Sequence, residues 1–409
     1  MKAIQFNLSI PRYAIGLLLG KISPRFYWSG LTCTAYTDIP EPQLPGEEWV
    51  VVKTRLGGIC GTDTSIIGLT ASPYLSPLGS YPFVLGHENA GQIAQVGAAA
   101  DGWEIGDRVV VEPTLWCAPR GFPDLCPSCA RGEINHCERQ DRGILAAGVS
   151  IGTCRDTGGS WAPYFLAHRS QLYRIPPHMS DQNALMVEPF SIGLHATLQN
   201  FPADDQRVLI IGAGTIGLCT LAALRALGSR AEITVLARHP FQGQAAEKLG
   251  ATRVLKADGA GKYYEDIAAI TGGSLKRTLL GEKVLFGGMD LVFECVGTRR
   301  SLDDALRLTR NQGRVILVSV SGVTRQIDWT PIFAHELQVR AAYLYHHVEP
   351  FQGHRWKTFD LAIDLLSRGV TDLGWMVTHR FSLEEYRQAL LLTYRRGNSG
   401  AIKIAFEFE

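Results

Sequence analysis

The stretch VLIIGAGTIG, residues 208–217, decides the fold of this 409-residue chain. Its first four residues are a short, wholly apolar run, which is typical of a strand buried on both faces of a parallel sheet. Gly212, Gly214 and Gly217 then form a G-x-G-x-x-G pattern, and an apolar series with helical spacing continues to Leu227. A strand before this pattern and a helix after it predict a dinucleotide-binding turn.

Each residue of this turn has a physical role in such a site. Gly212 permits the tight turn, Gly214 lets a pyrophosphate approach the backbone, and Gly217 allows the helix to pack closely on the strand. Thr215 and Ile216 open the helix, whose N-terminus attracts phosphate. The alternative is a glycine-rich turn in an ordinary α/β domain, which the strand before the pattern and the helix after it make the less favoured interpretation.

Strand-like and helical patterns alternate after this turn. Residues 233–236 form a second apolar run, a helical pattern covers 244–249, and residues 290–294 and 314–319 have the composition of later strands. This alternation predicts the α/β class with a parallel, doubly wound sheet. Residues 274–288 interrupt the alternation as an apparent insertion.

The first half of the chain has a different character. It is rich in Gly and Pro, and short runs such as 49–53, 92–96 and 108–111 predict strands of a mostly β domain. The chain length also favours two domains. We predict a catalytic domain of residues 1–195, completed by 345–409, and a cofactor domain of residues 196–344. Within the completing part, 359–366 and 383–392 predict helices and 401–408 a strand.

The end of the second apolar run bears on the choice of cofactor. An NAD site places Asp or Glu here to bind the ribose hydroxyls, whereas this sequence has Ala237 followed by Arg238. A small residue beside an arginine suits a 2′-phosphate, because guanidinium and phosphate form a two-bonded pair. The pattern favours NADP. NAD stays open, with Arg238 then a solvated loop residue.

Charge and composition limit the partners. Lys and Arg number 40 against 39 Asp and Glu, so the chain lacks the basic excess that nucleic acid would attract. The apolar patch 15–19 is too short to span a bilayer and makes a poor signal peptide. It predicts a short helix packed on the body, a wall of the substrate pocket or, least favoured, a membrane-surface contact. We expect a cytoplasmic protein without a membrane partner.

The cysteines point to metal binding. Nine of them, an odd number in a chain without an export signal, argue against a disulfide framework. Cys126, Cys129 and Cys137 have the spacing C-x2-C-x7-C, and Cys117 offers a fourth thiolate. Four thiolates close a tetrahedral shell around zinc and leave no open position. This pattern therefore predicts a structural zinc site.

Three further segments carry a family resemblance. GICGTD (58–63), GHENAG (86–91) and VEP (187–189) followed by His195 resemble the signature segments of zinc-dependent medium-chain dehydrogenases/reductases, in the sorbitol and threonine dehydrogenase branch. The cysteine loop also resembles that family's C-x2-C-x2-C-x7-C, except that Cys117 lies nine residues before Cys126 instead of three. The resemblance implies a GroES-like, mostly β catalytic domain joined to a Rossmann domain.

The same resemblance implies the catalytic residues. Cys60 and His87 bind a catalytic zinc, and Glu88 and Glu188 compete for the third protein position. Thr62 resembles the hydroxyl that takes the alcohol's proton. Many relatives have a histidine three residues after it, but this chain has Ser65, so the proton relay is altered.

The activity that these features imply is hydride transfer between a nicotinamide cofactor and a small alcohol or carbonyl compound. Two alternatives stay open: a biosynthetic NADPH-dependent carbonyl reductase that uses the same site, and a non-catalytic relative that keeps the fold as a scaffold. The intact set of metal ligands argues against the scaffold. By the same resemblance we expect a homodimer or homotetramer.

Overall fold

The computed structural model describes residues 1–320, 322–395, 397 and 399–409. These residues divide into two compact units. The first unit comprises residues 1–188, 346–348 and 354–409, and the second comprises residues 189–345 and 349–353. Which unit carries catalysis and which carries the cofactor stays a prediction.

The first unit is mostly β, as the sequence predicts. Up to residue 188 its elements are β1 (Lys2–Phe6), α1 (Ile10–Leu19), β2 (Thr34–Asp38), β3 (Trp49–Gly58), α2 (Gly61–Ile67), β4 (Phe83–Val84), β5 (Asn89–Val96), β6 (Arg108–Val111), α3 (Pro127–Ala130), β7 (Tyr164–His168), β8 (Leu172–Arg174) and α4 (Asp181–Leu185). Helix α5 (Val187–Leu198) begins in this unit and continues into the second.

The second unit alternates strands and helices. Its elements are β9 (Arg207–Ile211), α6 (Thr215–Ala226), β10 (Glu232–Ala237), α7 (Pro240–Lys248), β11 (Arg253–Lys256), α8 (Tyr263–Thr271), β12 (Ser274–Arg277), β13 (Lys283–Phe286), β14 (Met289–Glu294), α9 (Arg299–Leu308), β15 (Thr309–Leu317), α10 (Thr330–Ala334), β16 (Gln338–Ala341) and β17 (Glu349–Phe351). The chain then returns to the first unit through β18 (His354–Trp356), α11 (Thr358–Ser367), β19 (Val377–Phe381), α12 (Tyr386–Tyr394) and β20 (Lys403–Glu407).

A parallel sheet forms the centre of the second unit. Its strands lie in the order β11, β10, β9, β14, β15, β16, and every neighbouring pair runs parallel. This is the doubly wound order, with the strand before the glycine turn at the centre. The parallel, doubly wound sheet predicted from the alternation of strands and helices is thus confirmed. Residues 274–288, the apparent insertion, form the antiparallel hairpin of β12 and β13.

Strand β3 organises the larger sheet of the first unit. It pairs antiparallel with β5, β7 and β20, so residues far apart in the chain meet along it. Trp49, Val50 and Val52 of this strand belong to a buried core that also contains Phe165 of β7. A smaller sheet joins β2, β1 and β4.

Three helices begin where the periodicity alone did not place them. Helix α7 begins at Pro240, four residues before the expected start, because proline suits the first helical position. Residues 383–385 form a 3₁₀ turn, and α12 begins only at Tyr386. Helix α1 begins at Ile10, earlier than the apolar patch that predicts it, and of its residues only Gly16 is buried.

Candidate active site and metal centres

Cys60 sits between the end of β3 and the start of α2. The chain can turn there because the backbone N–H of Cys60 donates to Asp63 Oδ2 (2.9 Å), while Ile59 N donates to Ile404 O (2.9 Å). Gly58 leaves room for the next residue of the site, since a side chain at this position would collide with the Glu88 carboxylate. Residue 58 must therefore be glycine for the Glu88 carboxylate to occupy its place in the site.

His87 lies against Asp63. Its Nδ1 is 3.5 Å from Asp63 Oδ1, and Asp63 is 1% exposed. Burial opposes protonation of His87, but Asp63 and Cys60 more than offset it, so the pKa of His87 stands well above its ordinary value. A metal-binding histidine usually gives its other ring proton to a carboxylate, which fixes the ring. Asp63 is in position to accept that proton, a role that the sequence motif did not reveal.

Glu88 completes a three-residue group. The ligand atoms of Cys60, His87 and Glu88 all lie within 4.8 Å of one another. Lys403 of β20 forms an ion pair with Glu88 Oε2 and donates to Ile59 O (3.2 Å). Both charged side chains are 1% exposed. Burial alone would lower the pKa of Lys403, but Glu88 and Cys60 raise it above its ordinary value, so the lysine stays charged.

Glu188 and His195 share helix α5, but they have different surroundings. Glu188 is buried near the three-residue group, and burial raises its pKa to about 7. Its carboxylate is not among the atoms that lie within 4.8 Å of one another. His195 belongs to the second unit, where its Nδ1 is 2.5 Å from Glu349 Oε1.

Thr62 and Ser65 lie on the first turns of α2. Thr62 is exposed, and its hydroxyl is 3.9 Å from Cys60 Sγ. The Ser65 hydroxyl donates to Gly61 O (2.9 Å), so it is directed at the helix backbone. The Ser65 hydroxyl is thus engaged with the backbone of its own helix.

The four cysteines of the predicted zinc loop come together. Their sulfur atoms lie within 4.8 Å of one another, and Cys117 Sγ is 3.8 Å from Cys137 Sγ. Four sulfurs placed tetrahedrally around zinc at about 2.3 Å are about 3.8 Å apart, so this set fits the metal. A hydrogen bond from Cys129 lowers the pKa of Cys137 to about 6, whereas burial raises the pKa of Cys117 to about 11 and the bond to Cys137 raises that of Cys129. Without a metal the set therefore favours one thiolate, and zinc needs the others deprotonated as it binds.

A buried arginine shapes the long loop between Cys117 and Cys126. Arg120 is 0% exposed, and its guanidinium donates to the carbonyl oxygens of Leu115 (3.0 Å), Arg142 (3.0 Å) and Gly148 (2.5 Å). These bonds tie the start of the loop to the segments on either side of it, while Gly121 and residues 123–125 of the loop are exposed. No spacing rule predicts this arrangement, because its acceptors are backbone carbonyls.

The glycine turn has the backbone that a dinucleotide site requires. Gly212 has φ +100°, and its N–H donates to Leu236 O (3.0 Å). A side chain at Gly217 would collide with Gly212 O, whereas the space beside Gly214 is open. Helix α6 begins at Thr215, immediately after the open position.

The end of β10 presents the two residues that bear on cofactor choice. Ala237 is buried as the last residue of the strand, and Arg238 is exposed immediately after it. Within the described parts of the chain, Arg238 forms no ion pair with a carboxylate. Its guanidinium is available to a ligand.

Comparison with known families covers both units. The family described as alcohol dehydrogenase GroES-like domain matches residues 46–177, and zinc-binding dehydrogenase matches residues 215–368. Together the two matches span well over half of the chain. The chain belongs to the zinc-dependent medium-chain dehydrogenase/reductase family. The GroES-like and Rossmann parts implied by the sequence resemblance are confirmed.

Individual members of this family support the same conclusion. Sorbitol dehydrogenase from Bacillus subtilis is 28% identical over 358 residues, covering 86% of this chain and 88% of the relative. A putative zinc-binding dehydrogenase from Sinorhizobium meliloti, solved bound to NADP, is 26% identical with a TM-score of 0.69, covering 92% of this chain and 95% of that one. A short chain alcohol dehydrogenase from Escherichia coli CFT073, solved with NADH, supports the fold alone at 22% identity (TM-score 0.71, coverage 100% and 99%).

As a medium-chain dehydrogenase/reductase, the chain is a zinc-dependent oxidoreductase. It transfers a hydride between a nicotinamide cofactor and an alcohol or carbonyl substrate. The prediction of an enzyme is confirmed, and the scaffold alternative is dropped.

Proposed function

We propose that Cys60, His87 and Glu88 hold the catalytic zinc, and that Cys117, Cys126, Cys129 and Cys137 hold a structural one. The observation that carries the catalytic assignment is the closeness of the three ligand atoms, all within 4.8 Å of one another. Cysteine, histidine and carboxylate supply three protein ligands, which leaves a fourth position for the substrate oxygen.

Glu88 is the better third ligand of the two candidates. Its carboxylate is fixed from behind by Lys403, and it lies with Cys60 and His87. Glu188 lies outside that group, with its pKa raised to about 7 by burial. We assign Glu188 to the surroundings of the metal, where it adjusts the local charge without ligating in this arrangement.

Thr62 is the residue that we expect to exchange the substrate's proton. Bound zinc supplies Lewis acidity, which stabilises negative charge on the substrate oxygen. Thr62 is exposed at the start of α2 and next to Cys60, so its hydroxyl can accept the alcohol's proton and contact water. Because Ser65 donates to Gly61 O, the proton leaves without passing through Ser65.

NADP is the cofactor that the nucleotide turn favours. Ala237 leaves space at the end of β10, and Arg238 is exposed without a carboxylate partner in the described residues. We predict that Arg238→Ala lowers kcat/KM for NADP about tenfold or more and leaves that for NAD nearly unchanged, since one guanidinium–phosphate pair is lost. Arg230→Ala, at an exposed arginine paired with Asp204, is the matched control. Wild-type preference for NAD would contradict the assignment.

Turnover and metal content test the whole proposal. Purified protein is screened against alcohols, polyols and ketones with both nicotinamides, and zinc is counted per chain. About two zincs and turnover with NADP are the expected result. A single zinc in the wild-type chain that is lost in the variant Cys129→Ser would contradict the catalytic zinc, because the metal would then lie only at the cysteine site.

Carbonyl reduction with NADPH is the second candidate, and the exposed Arg238 favours it. The site is the same in both directions, so only the relative kcat/KM for ketone reduction and alcohol oxidation distinguishes them. The homodimer or homotetramer expected from the resemblance stays a prediction, which sedimentation velocity tests.

A further inference from the structure

Helix α1 is apolar, yet it lies on the surface of the first unit. Its sequence is IPRYAIGLLL, and only Gly16 among these residues is buried. Ile10 is 87% exposed and Leu18 is 68% exposed, and Ile22 just after the helix is 75% exposed. An exposed apolar surface of this kind marks a place where another molecule binds.

The charges around this surface have one sign. The first 37 residues contain no Asp or Glu, and their charged side chains are Lys2, Arg12, Lys21 and Arg25. Arg12, Lys21 and Arg25 are exposed around α1 and the turn that follows it. Apolar side chains bordered by basic ones are the composition of a helix that lies in the interface of an anionic membrane.

A concavity with two arginines adjoins the helix. It has a volume of about 380 Å³ and lies between the 3₁₀ turn Pro24–Trp28 and α12. It is lined by Arg25, Trp28, Ser29, Arg387, Gln388 and Leu391. Trp28 of the 3₁₀ turn packs against α12, since the centre of its ring lies 5.7 Å from that of Tyr394.

Neither arginine of the concavity is neutralised. In the described part of the chain, Arg25 and Arg387 form no ion pair, and Arg387 donates to Tyr386 Oη (3.1 Å). Glu384 and Glu385, just before α12, accept hydrogen bonds from Tyr36 and from the backbone of Ser382. Two guanidinium groups with a hydroxyl and an amide beside them suit a phosphate.

We propose that this face docks on an anionic phospholipid bilayer. The exposed side chains of α1 and Ile22 enter the headgroup boundary, and Arg25 and Arg387 bind a lipid phosphate. A helix of ten residues is about 15 Å long and too short to span a bilayer, so in this proposal it lies in the plane of the surface. No helix in the residues described here has the length and apolarity to cross a bilayer.

A second copy of the chain fits this face less well. A twofold contact places the same patch on both partners, so Arg12, Lys21 and Arg25 would meet their own like charges. Anionic lipid supplies negatively charged headgroups for the basic side chains and acyl chains for the apolar ones. The proposal departs from our sequence-based expectation of no membrane partner, which rested on the shortness of the patch.

Vesicle flotation of the full chain tests the proposal. We expect co-flotation with phosphatidylglycerol vesicles, loss of binding at high salt, and little binding to phosphatidylcholine vesicles. Equal binding to both lipids, or no binding to phosphatidylglycerol, overturns it.

Paired variants locate the contact. Leu18→Glu/Ile22→Glu should weaken vesicle binding about a hundredfold, because two apolar side chains no longer enter the lipid. The matched control is Leu279→Glu/Leu280→Glu at the tip of the β12–β13 hairpin, where both side chains are exposed as well. Arg25→Glu/Arg387→Glu should weaken binding at least about thirtyfold, with Lys276→Glu/Arg277→Glu as its control.

Thermal midpoint and zinc content verify that each variant is folded. If the controls reduce binding as much as the test variants, the contact is general charge attraction and the proposal is wrong. If Leu18→Glu/Ile22→Glu changes only the oligomeric state, the face is a contact between copies, and the proposal is again wrong.

Discussion

The two candidate metal centres are built from different kinds of neighbours. The cysteine centre takes all four ligands from one loop, residues 117–137, and two of the sulfurs accept hydrogen bonds from backbone N–H groups of the same loop. The centre of Cys60, His87 and Glu88 takes its ligands from two segments, and each of two ligands has a charged partner of its own, Asp63 or Lys403. A closed shell of sulfurs stabilises a loop. A three-ligand shell held by charged neighbours keeps an open position and a fixed geometry.

This difference predicts that the two centres fail in different ways. Loss of a cysteine ligand should remove structure, because zinc binding at such a site is itself folding free energy. Loss of a residue at the other centre should remove activity first, since the sheet around β3 holds that region independently. The following variants test this separation in order of expected effect.

Cys129→Ser should have the largest effect. Structural zinc contributes on the order of 10 kcal/mol, comparable to the whole stability of a domain. We expect loss of one zinc and a fall in Tm of about 10 °C or more. Cys154→Ser is the control, because Cys154 is also buried but its thiol faces Ala146 O instead of the cluster. An unchanged Tm in Cys129→Ser would contradict the structural role.

Cys60→Ser should lower kcat about a thousandfold while Tm changes by only a few degrees. Charge stabilisation by the metal amounts to several kcal/mol of the barrier, and 1.36 kcal/mol corresponds to a factor of ten. Steady-state kinetics and zinc counting are the measurements. A variant that keeps both zincs and most of its activity would show that Cys60 is not a ligand.

Lys403→Met tests which glutamate ligates. Removing one member of a buried ion pair costs about 3–5 kcal/mol when the other charge stays unpaired. If Glu88 binds zinc, the metal compensates its charge, so Tm should fall much more in chelated protein than in zinc-loaded protein.

The same comparison in Glu188→Gln is the control for Lys403→Met. An equal fall in Tm with and without zinc for Lys403→Met would mean that Glu88 does not ligate. The third position would then go to Glu188.

Asp63→Asn should have the smallest effect, a loss of about 10- to 100-fold in zinc affinity or activity. The amide keeps the shape of the side chain but no longer favours the histidine orientation with a negative charge. Zinc titration with a competing chelator measures the change. If zinc affinity and kcat are both unaltered, Asp63 does not orient His87 for metal binding.

The sequence was most informative where a function depends on adjacent residues. The glycine turn, β9, β10 and the C-x2-C-x7-C spacing are local patterns, and each predicts the structure found there. The burial of Lys403 could not be predicted from the sequence, because a lysine in an apolar strand is normally expected to point to solvent. Its partner Glu88 lies more than 300 residues earlier. The role of Arg120 could not be predicted for another reason. Its acceptors are backbone carbonyl oxygens, which every residue type carries.

The pairing of β20 with β3 also determines when the catalytic centre can form during synthesis. Residues 189–345 of the second unit are synthesised before β20. Until β20 is made, Glu88 lacks its ion-pair partner Lys403, and β3 lacks one of its partner strands. At about 5–20 residues per second, the ribosome needs roughly 11–43 s to add the 215 residues from Pro189 to Lys403. During that interval the nascent first unit has an unpaired segment of β3 and a Glu88 carboxylate without its lysine partner, and unpaired strand edges are prone to aggregate.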